Sequence, residues 1–325
     1  MKLKLILAFL VLFSFKMISQ IAMANHFPTM KPHHILDEKK DSISFAFSMR
    51  LLESDYNGPI IKLRRDPGDG STNDEKDFYC TDSDIVDITA INNWASEVTG
   101  SQTLHVVTWY DQSGLGRNAV QTDEDKQPVF TADASYPYFN SDDIEDILVV
   151  ETSTSANLTN NGKNGTIISI LYATNNNNHS FGVRDASTGS NRWLAHVNWS
   201  DNKLYFDPGG SSGSRSINNG ANVNSWVQYS ILRRDNPLNV NQDRRIFRIN
   251  NTEIQNNNVN NNFQLTGDYY FGIGGTISNT ITSANPYNTF QHSTTRFCEF
   301  IMYAAGKEDD FLSEIEQNQM AFWNL

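Results

Sequence analysis

Ser42-Ile43-Ser44-Phe45-Ala46-Phe47-Ser48-Met49-Arg50-Leu51 sets Phe45, Phe47, Met49 and Leu51 on alternate positions. A period of two is the pattern of a half-buried strand. Asn57-Gly58-Pro59 then reads as a turn, and Ile60 to Arg65 as the hairpin partner of that strand. Leu104 to Tyr110, Thr166 to Tyr172, Lys203 to Phe206, Trp226 to Leu232, Arg245 to Ile249, Tyr269 to Ile273 and Arg296 to Tyr303 are further short runs rich in β-branched and aromatic residues. Many short strands parted by Gly, Asn and Asp turns predict an all-β sandwich or barrel rather than alternating β-α units.

Two short helices are expected beside the strands. Asp84 stands where it would cap one over 84–95, in which Ile85, Ile88, Ile91 and Trp94 recur at three-residue spacing. Ser313-Glu314-Ile315-Glu316 has the form of a capping box, predicting a C-terminal helix that turns Ile315, Met320 and Phe322 inward. The asparagine runs Asn175 to Asn178, Asn256 to Asn258 and Asn260 to Asn262 read as polar loop tips. Asn157, Asn164, Asn178, Asn198 and Asn250 each open an N-x-Ser/Thr sequon.

The chain opens with Lys2 and Lys4, an apolar run from Leu5 to Phe15, and the small-x-small signature Ala22-Met23-Ala24. That is the layout of a secretory signal peptide, and the run is too short to cross a bilayer of roughly 30 Å. Residues 1–24 are therefore read as a signal peptide, 25–40 as a leader and 41–325 as one domain, secreted or periplasmic, with no membrane span in the mature chain. Charged residues make up 19% and the net charge is −12, a field that repels polyanions and counts against a nucleic-acid partner.

Cys80 and Cys298 are the two cysteines; in an oxidising compartment they are read either as one disulfide or as two buried free thiols. No C-x-x-C or H-E-x-x-H spacing occurs, so no metal or cofactor is expected. Asp66-Pro67-Gly68-Asp69-Gly70 reads as a polar loop; a structural calcium there is the alternative, against which stands the lack of an EF-hand order of ligands.

The most distinctive stretch is Thr108-Trp109-Tyr110-Asp111-Gln112-Ser113-Gly114-Leu115-Gly116-Arg117-Asn118-Ala119. With Ser48-Met49-Arg50-Leu51-Leu52, Tyr56-Asn57-Gly58-Pro59 and Lys62-Leu63-Arg64-Arg65 upstream, and Phe271-Gly272-Ile273-Gly274-Gly275 and Phe297-Cys298-Glu299-Phe300-Ile301-Met302 downstream, it resembles the catalytic domain of the fungal-type α-L-arabinofuranosidase B family. The middle, from roughly Asp123 to Asp268, matches poorly, and the family's arabinose-binding trefoil has no counterpart. The resemblance implies a concanavalin A-like, laminin-G-like jelly-roll sandwich. It also implies a retaining mechanism, with a nucleophilic and an acid/base carboxylate about 5 to 5.5 Å apart.

In that family the acid/base Asp directly follows Gly-Ile-Gly-Gly, where this chain has Thr276. The nearest counterpart of the family's nucleophile is Asn198, in Leu194-Ala195-His196-Val197-Asn198-Trp199. A hydroxyl and an amide cannot replace those two carboxylates. Glu299 and Asp201 are the remaining candidate acids, against plainer readings as a structural acid and a turn residue. Trp109, Tyr110, Asp111, Gln112, Ser113 and Gly114 form the motif, with Asp111 and Gln112 read as holding a turn through nearby backbone amides.

Trp193, Trp199, Tyr205 and Trp226 are candidates to stack on sugar faces or, alternatively, to fill the space between sheets. Together these readings describe a secreted carbohydrate-recognising sandwich whose partner is a polysaccharide or glycan and whose catalytic carboxylates are not retained. The alternatives are a retaining glycosidase acting on α-L-arabinofuranosides and a structural extracellular protein.

Overall fold

The computed structural model describes residues 33–65, 74–98, 103–142, 144–174, 178–185, 190–210, 215–260, 262–278 and 289–325. The signal peptide, the calcium alternative at Asp66 to Gly70 and Asn175 to Asn177 lie outside these residues. The compact unit runs from His34 to Leu325. Ile35 and Leu36, in the stretch read as leader, are buried in it against Ala46 and Leu52.

Among the described residues the chain forms twenty strands. The first ten are β1 (Ile43–Ser48), β2 (Ile61–Arg65), β3 (Asp74–Phe78), β4 (Leu104–Trp109), β5 (Ala119–Val120), β6 (Val129–Thr131), β7 (Tyr138–Asn140), β8 (Leu148–Val150), β9 (Gly165–Tyr172) and β10 (Phe181–Arg184). The rest are β11 (Arg192–His196), β12 (Lys203–Pro208), β13 (Ser216–Asn218), β14 (Trp226–Asp235), β15 (Gln242–Ile249), β16 (Thr252–Asn260), β17 (Phe271–Ile273), β18 (Gly275–Ile277), β19 (Thr289–His292) and β20 (Arg296–Tyr303). Two α-helices accompany them, α1 (Ile88–Ser96) and α2 (Asp309–Trp323).

The main antiparallel pairings form two layers, which β6 and β7 link from β4 to β20, and β18 pairs parallel with β10. One layer runs β16-β15-β14-β9-β20-β1. The other runs β3-β2-β4-β5-β8-β17-β10-β11-β12-β13. Rings from both meet between them. Phe45 of β1 packs on Phe47 at 4.7 Å, Phe47 on Trp109 of β4 at 5.2 Å, and Phe300 of β20 on Phe181 of β10 at 4.9 Å. The fold is an all-β sandwich.

The six-stranded layer is covered on its outer face as well. Leu312 and Ile315 of α2 pack on Ala46, Ile168, Leu232, Ile246 and Ile301. Strands buried on both faces lose the polar alternation, which is why Ile167-Ile168 and Phe300-Ile301-Met302 read as continuous apolar runs.

Several local expectations are corrected. β1 pairs with β20, whereas β2 pairs with β3 and β4, so the two segments flanking Asn57-Gly58-Pro59 are not a hairpin. Asn256 to Asn258 lie in β16, which pairs on one side with β15, and Arg244 donates to the side-chain oxygens of Asn256 and Asn258. Asp84 does not cap α1. The cap is Asp87, whose carboxylate accepts from the amide of Ala90 at 2.8 Å.

Nor does Ser313 cap α2, since the helix begins a turn earlier with Glu308 at its N-cap. Glu316 does not fold back to the backbone as a capping box requires; it is buried in an ion pair with Arg248 at 2.8 Å. Ile315 faces inward as expected, but Leu312 and Trp323, rather than the half-buried Met320 and Phe322, complete the packed face. Cys80 and Cys298 are both free thiols, and burial pushes the Cys298 thiol well up. Of the two readings of this pair the structure has the free thiols, with Cys298 buried and Cys80 half-buried.

Candidate functional site

The distinctive motif builds fold, not a cleft. Trp109 is wholly buried. Tyr110 donates its hydroxyl to Asp77 at 2.7 Å. Asp111 accepts from the amides of Ala46, Ser113 and Arg117 and from the Ser113 hydroxyl, all within 2.9 Å. Gln112 accepts from the Leu52 amide and donates to the Arg50 carbonyl. These two side chains supply partners for β1-side backbone groups that would otherwise be buried unpaired. Gly114, at φ 84, supplies the left-handed residue the turn needs.

Glu299 is likewise structural. On β20 the residues alternate, Phe300 and Met302 entering the sandwich while Glu299, Ile301 and Tyr303 face the other side. Its carboxylate is fully buried, paired with Nε and Nη2 of Arg50 at 2.7 and 3.0 Å. Ser48, Gln319 and Trp323 also donate to it. Burial would raise its pKa, and Arg50 with Trp323 and Gln319 more than offsets this, so the group is held below the usual carboxylate range. A carboxylate with every lone pair engaged, behind a helix, cannot reach a substrate.

A cavity of about 180 Å³ opens on the outward face of β10, β11 and β12, lined by His179, Arg184, Arg192, His196, Trp199, Tyr205 and Arg215. Strand register assembles it. Trp193, Ala195 and Phe206 point into the core, so Arg192, His196 and Tyr205 point out. Pairing sets Arg184 opposite Arg192 and His196 opposite Tyr205. Beneath them Asp207, wholly buried, lies 3.0 Å from Arg192 and 2.6 Å from Arg215.

The rim is fixed by its own contacts. The Trp199 ring meets His196 edge-on at 4.5 Å, and Arg215 lies over the Tyr205 ring at 4.9 Å. Tyr205 donates to Asp201 at 2.8 Å, and Lys203 pairs with Asp201 at 3.0 Å. Burial pushes the Asp201 carboxyl up, and the hydrogen bonds of Tyr205 and Lys203 together with the Lys203 charge outweigh it and hold the group low. His196 is held neutral, its pKa driven down to about 3 by burial first and then by Arg215, Arg192 and Arg184, against a bond from its ring to the Asn178 carbonyl. At neutral pH it is not an imidazolium, and its Nδ1–H is turned to that carbonyl.

The two positions where the resemblance places carboxylates abut this cavity. Thr276 Oγ1 is 2.8 Å from Nδ1 of His179, whose ring packs on His196 at 4.3 Å. Asn198 precedes Trp199 and donates its amide to the Thr174 carbonyl at 2.9 Å. Gly274 carries φ 96, and a Cβ there would stand 1.9 Å from the Ser141 hydroxyl. That conformation turns the chain from β17 into β18 and so sets Thr276 behind His179. Among the described residues no Asp or Glu lines the cavity, and no group of three or more His, Cys, Asp or Glu is placed to hold a metal ion.

No family model matches the chain, and no curated protein matches it. Solved structures do. An arabinofuranosidase complexed with arabinofuranosyl-alpha-1,2-xylobiose aligns at 14% identity over 90% of this chain with a TM-score of 0.59. A glycoside hydrolase family 54 α-L-arabinofuranosidase aligns at 16% with a TM-score of 0.56 when soaked with 4-nitrophenyl α-L-arabinofuranoside, and at 15% and 0.53 when soaked with a cyclic sulfate inhibitor. The chain spans 65% of the length of each. What it shares with them is the β-sandwich fold.

Of the aromatic candidates, the structure brings together Trp199 and Tyr205 only. Trp193 is wholly buried against Phe206 and Phe271 and belongs to the core. Trp226 stands apart from the cavity, its ring stacked on Tyr136 at 5.1 Å and met edge-on by Tyr138 and Tyr172. Sequence reading passed over Arg184, Arg192, Arg215, His179 and His196. The signal was the alternation in Arg192-Trp193-Leu194-Ala195-His196 and Lys203-Leu204-Tyr205-Phe206-Asp207, whose polar members share one face.

Proposed function

We propose that this chain is an exported carbohydrate-recognising module that holds a saccharide in the His196-Trp199-Tyr205 cavity and does not cleave it. The observation that carries the reading is the make-up of that cavity. It offers two ring systems at a polar rim and fixed guanidinium donors, the equipment for stacking on a sugar face while bonding its oxygens. Neither family position supplies a carboxylate, Thr276 being committed to His179 and Asn198 to a backbone carbonyl. A larger depression of about 440 Å³, lined by Arg234, Asp235 and Glu308 among others, has no ring in its wall.

The test is a glycan array run beside a screen of chromogenic glycosides. Binding of a saccharide, weakened about tenfold or more by Trp199→Ala, with glycoside release at the buffer rate, is the expected result. Hydrolysis of an α-L-arabinofuranoside by the purified chain would replace this reading with that of a retaining enzyme.

A further inference from the structure

Three guanidiniums, of Arg184, Arg192 and Arg215, reach the wall of one small cavity, and Asp207 is ion-paired with two of them, Arg192 and Arg215. Counted as fully ionised, Asp207 cancels one charge and leaves two. His196 adds none at neutral pH. The remaining rim acid, Asp201, is matched by Lys203. The cavity is thus an electropositive recess on a chain of net charge −12, and low-dielectric walls focus such a field.

A neutral sugar does not need this. Sugar hydroxyls are met as well by neutral amides and hydroxyls as by guanidiniums, whereas the guanidinium fork alone matches the planar or tetrahedral oxygens of an anion. Arg192 and Arg215 are held in place by the buried Asp207, so the fork is oriented before any ligand arrives.

We infer that the cavity recognises an acidic saccharide, its carboxylate or sulfate oxygens seated on Arg184, Arg192 and Arg215 and its ring against Trp199 and Tyr205. The inference rests on the carbohydrate reading above and sharpens it to a charge class.

Calorimetric titration of the purified chain would use a galacturonate trisaccharide, a sulfated galactose disaccharide, neutral galactose and arabinose oligosaccharides of matched length, and sodium acetate and sulfate alone. At least one acidic saccharide should bind about tenfold or more tightly than its neutral counterpart, and which one does assigns carboxylate or sulfate. Its affinity should fall as salt rises from about 0.05 to about 0.3 M. Arg184→Gln should weaken it about tenfold with thermal unfolding unchanged, and Arg184→Lys should weaken it less.

Equal binding of neutral and acidic sugars, indifferent to salt and to Arg184→Gln, would overturn the charge preference and leave the carbohydrate reading standing. Free acetate or sulfate binding as tightly as the saccharides would overturn the claim that a sugar ring is seated there. Failure of every saccharide to bind would remove both readings.

Discussion

Oγ1 of Thr276 lies 2.8 Å from Nδ1 of His179, both residues being buried, His179 in the cavity wall and Thr276 behind it. The position the resemblance reserves for an acid/base carboxylate is therefore tied into the scaffold. Thr276→Asp alone should leave hydrolysis of an aryl arabinofuranoside at background, because a good leaving group still needs a nucleophile and Asn198 is an amide. Release of nitrophenol is the readout. Turnover by the unmutated chain that vanished in Asp201→Asn would show instead that the chemistry had moved to the rim.

Arg50 and Glu299 form a buried pair that ties β20 to the chain after β1, with Gln319 and Trp323 of α2 joined to the same carboxylate. Glu299→Gln strands a guanidinium that is only 1% exposed. A loss of about 3–5 kcal/mol in urea unfolding is expected. A cost below about 1 kcal/mol would show that the pair does not hold α2 in place.

The two helix starts give opposite expectations. Asp87→Ala should cost about 1 kcal/mol, since it removes the acceptor of the Ala90 amide. Ser313→Ala should stay within about 0.5 kcal/mol, the Ser313 hydroxyl lying inside α2 with a 3.2 Å bond from Arg248. Comparable losses from both would contradict the cap assignment.

His196 carries a pH signature. Its folded pKa of about 3 lies below the value of 6.5 it regains on unfolding. The unfolded chain therefore binds the extra proton, so this residue's contribution is complete above pH 6.5 and is lost as pH falls from there towards 3. The denaturation midpoint should drop more steeply over that window in the unmutated chain than in His196→Gln. Parallel pH profiles would show that His196 titrates normally.

The thiols offer a direct count. Unfolded without reductant, the chain should titrate two thiols with an aromatic disulfide reagent, from Cys80 and Cys298. In the native state the half-buried Cys80 should react and the fully buried Cys298 should not. An unfolded chain with no titratable thiol would restore the bridge.

The sequence by itself determined nine of the twenty strands found among the described residues. Phe45, Phe47 and Met49 alternate because a strand sends successive side chains to opposite faces, and this local rule holds wherever the strand is placed. It also fixed that Thr276 and Asn198 are not carboxylates, which no folding can change. Asp111 and Gln112 were legible as turn-holding residues, since short polar side chains beside Gly bond neighbouring backbone; their reach to Ala46 and Leu52, across more than fifty residues of chain, was not.

Only the tertiary structure decided what depends on partners distant in sequence. Glu299 is structural because Arg50 and Trp323 converge on it, and Glu316 leaves its capping box because Arg248 of β15 bonds it more strongly than a backbone amide would. Trp193 and Tyr205 have similar local surroundings in the sequence. Strand parity and the register Ala195↔Phe206 send one into the core and the other to the cavity. The cationic recess has the same origin: Arg184, Arg192 and Arg215 stand on separate segments, and their charges add only once β10, β11 and β12 lie side by side over Asp207.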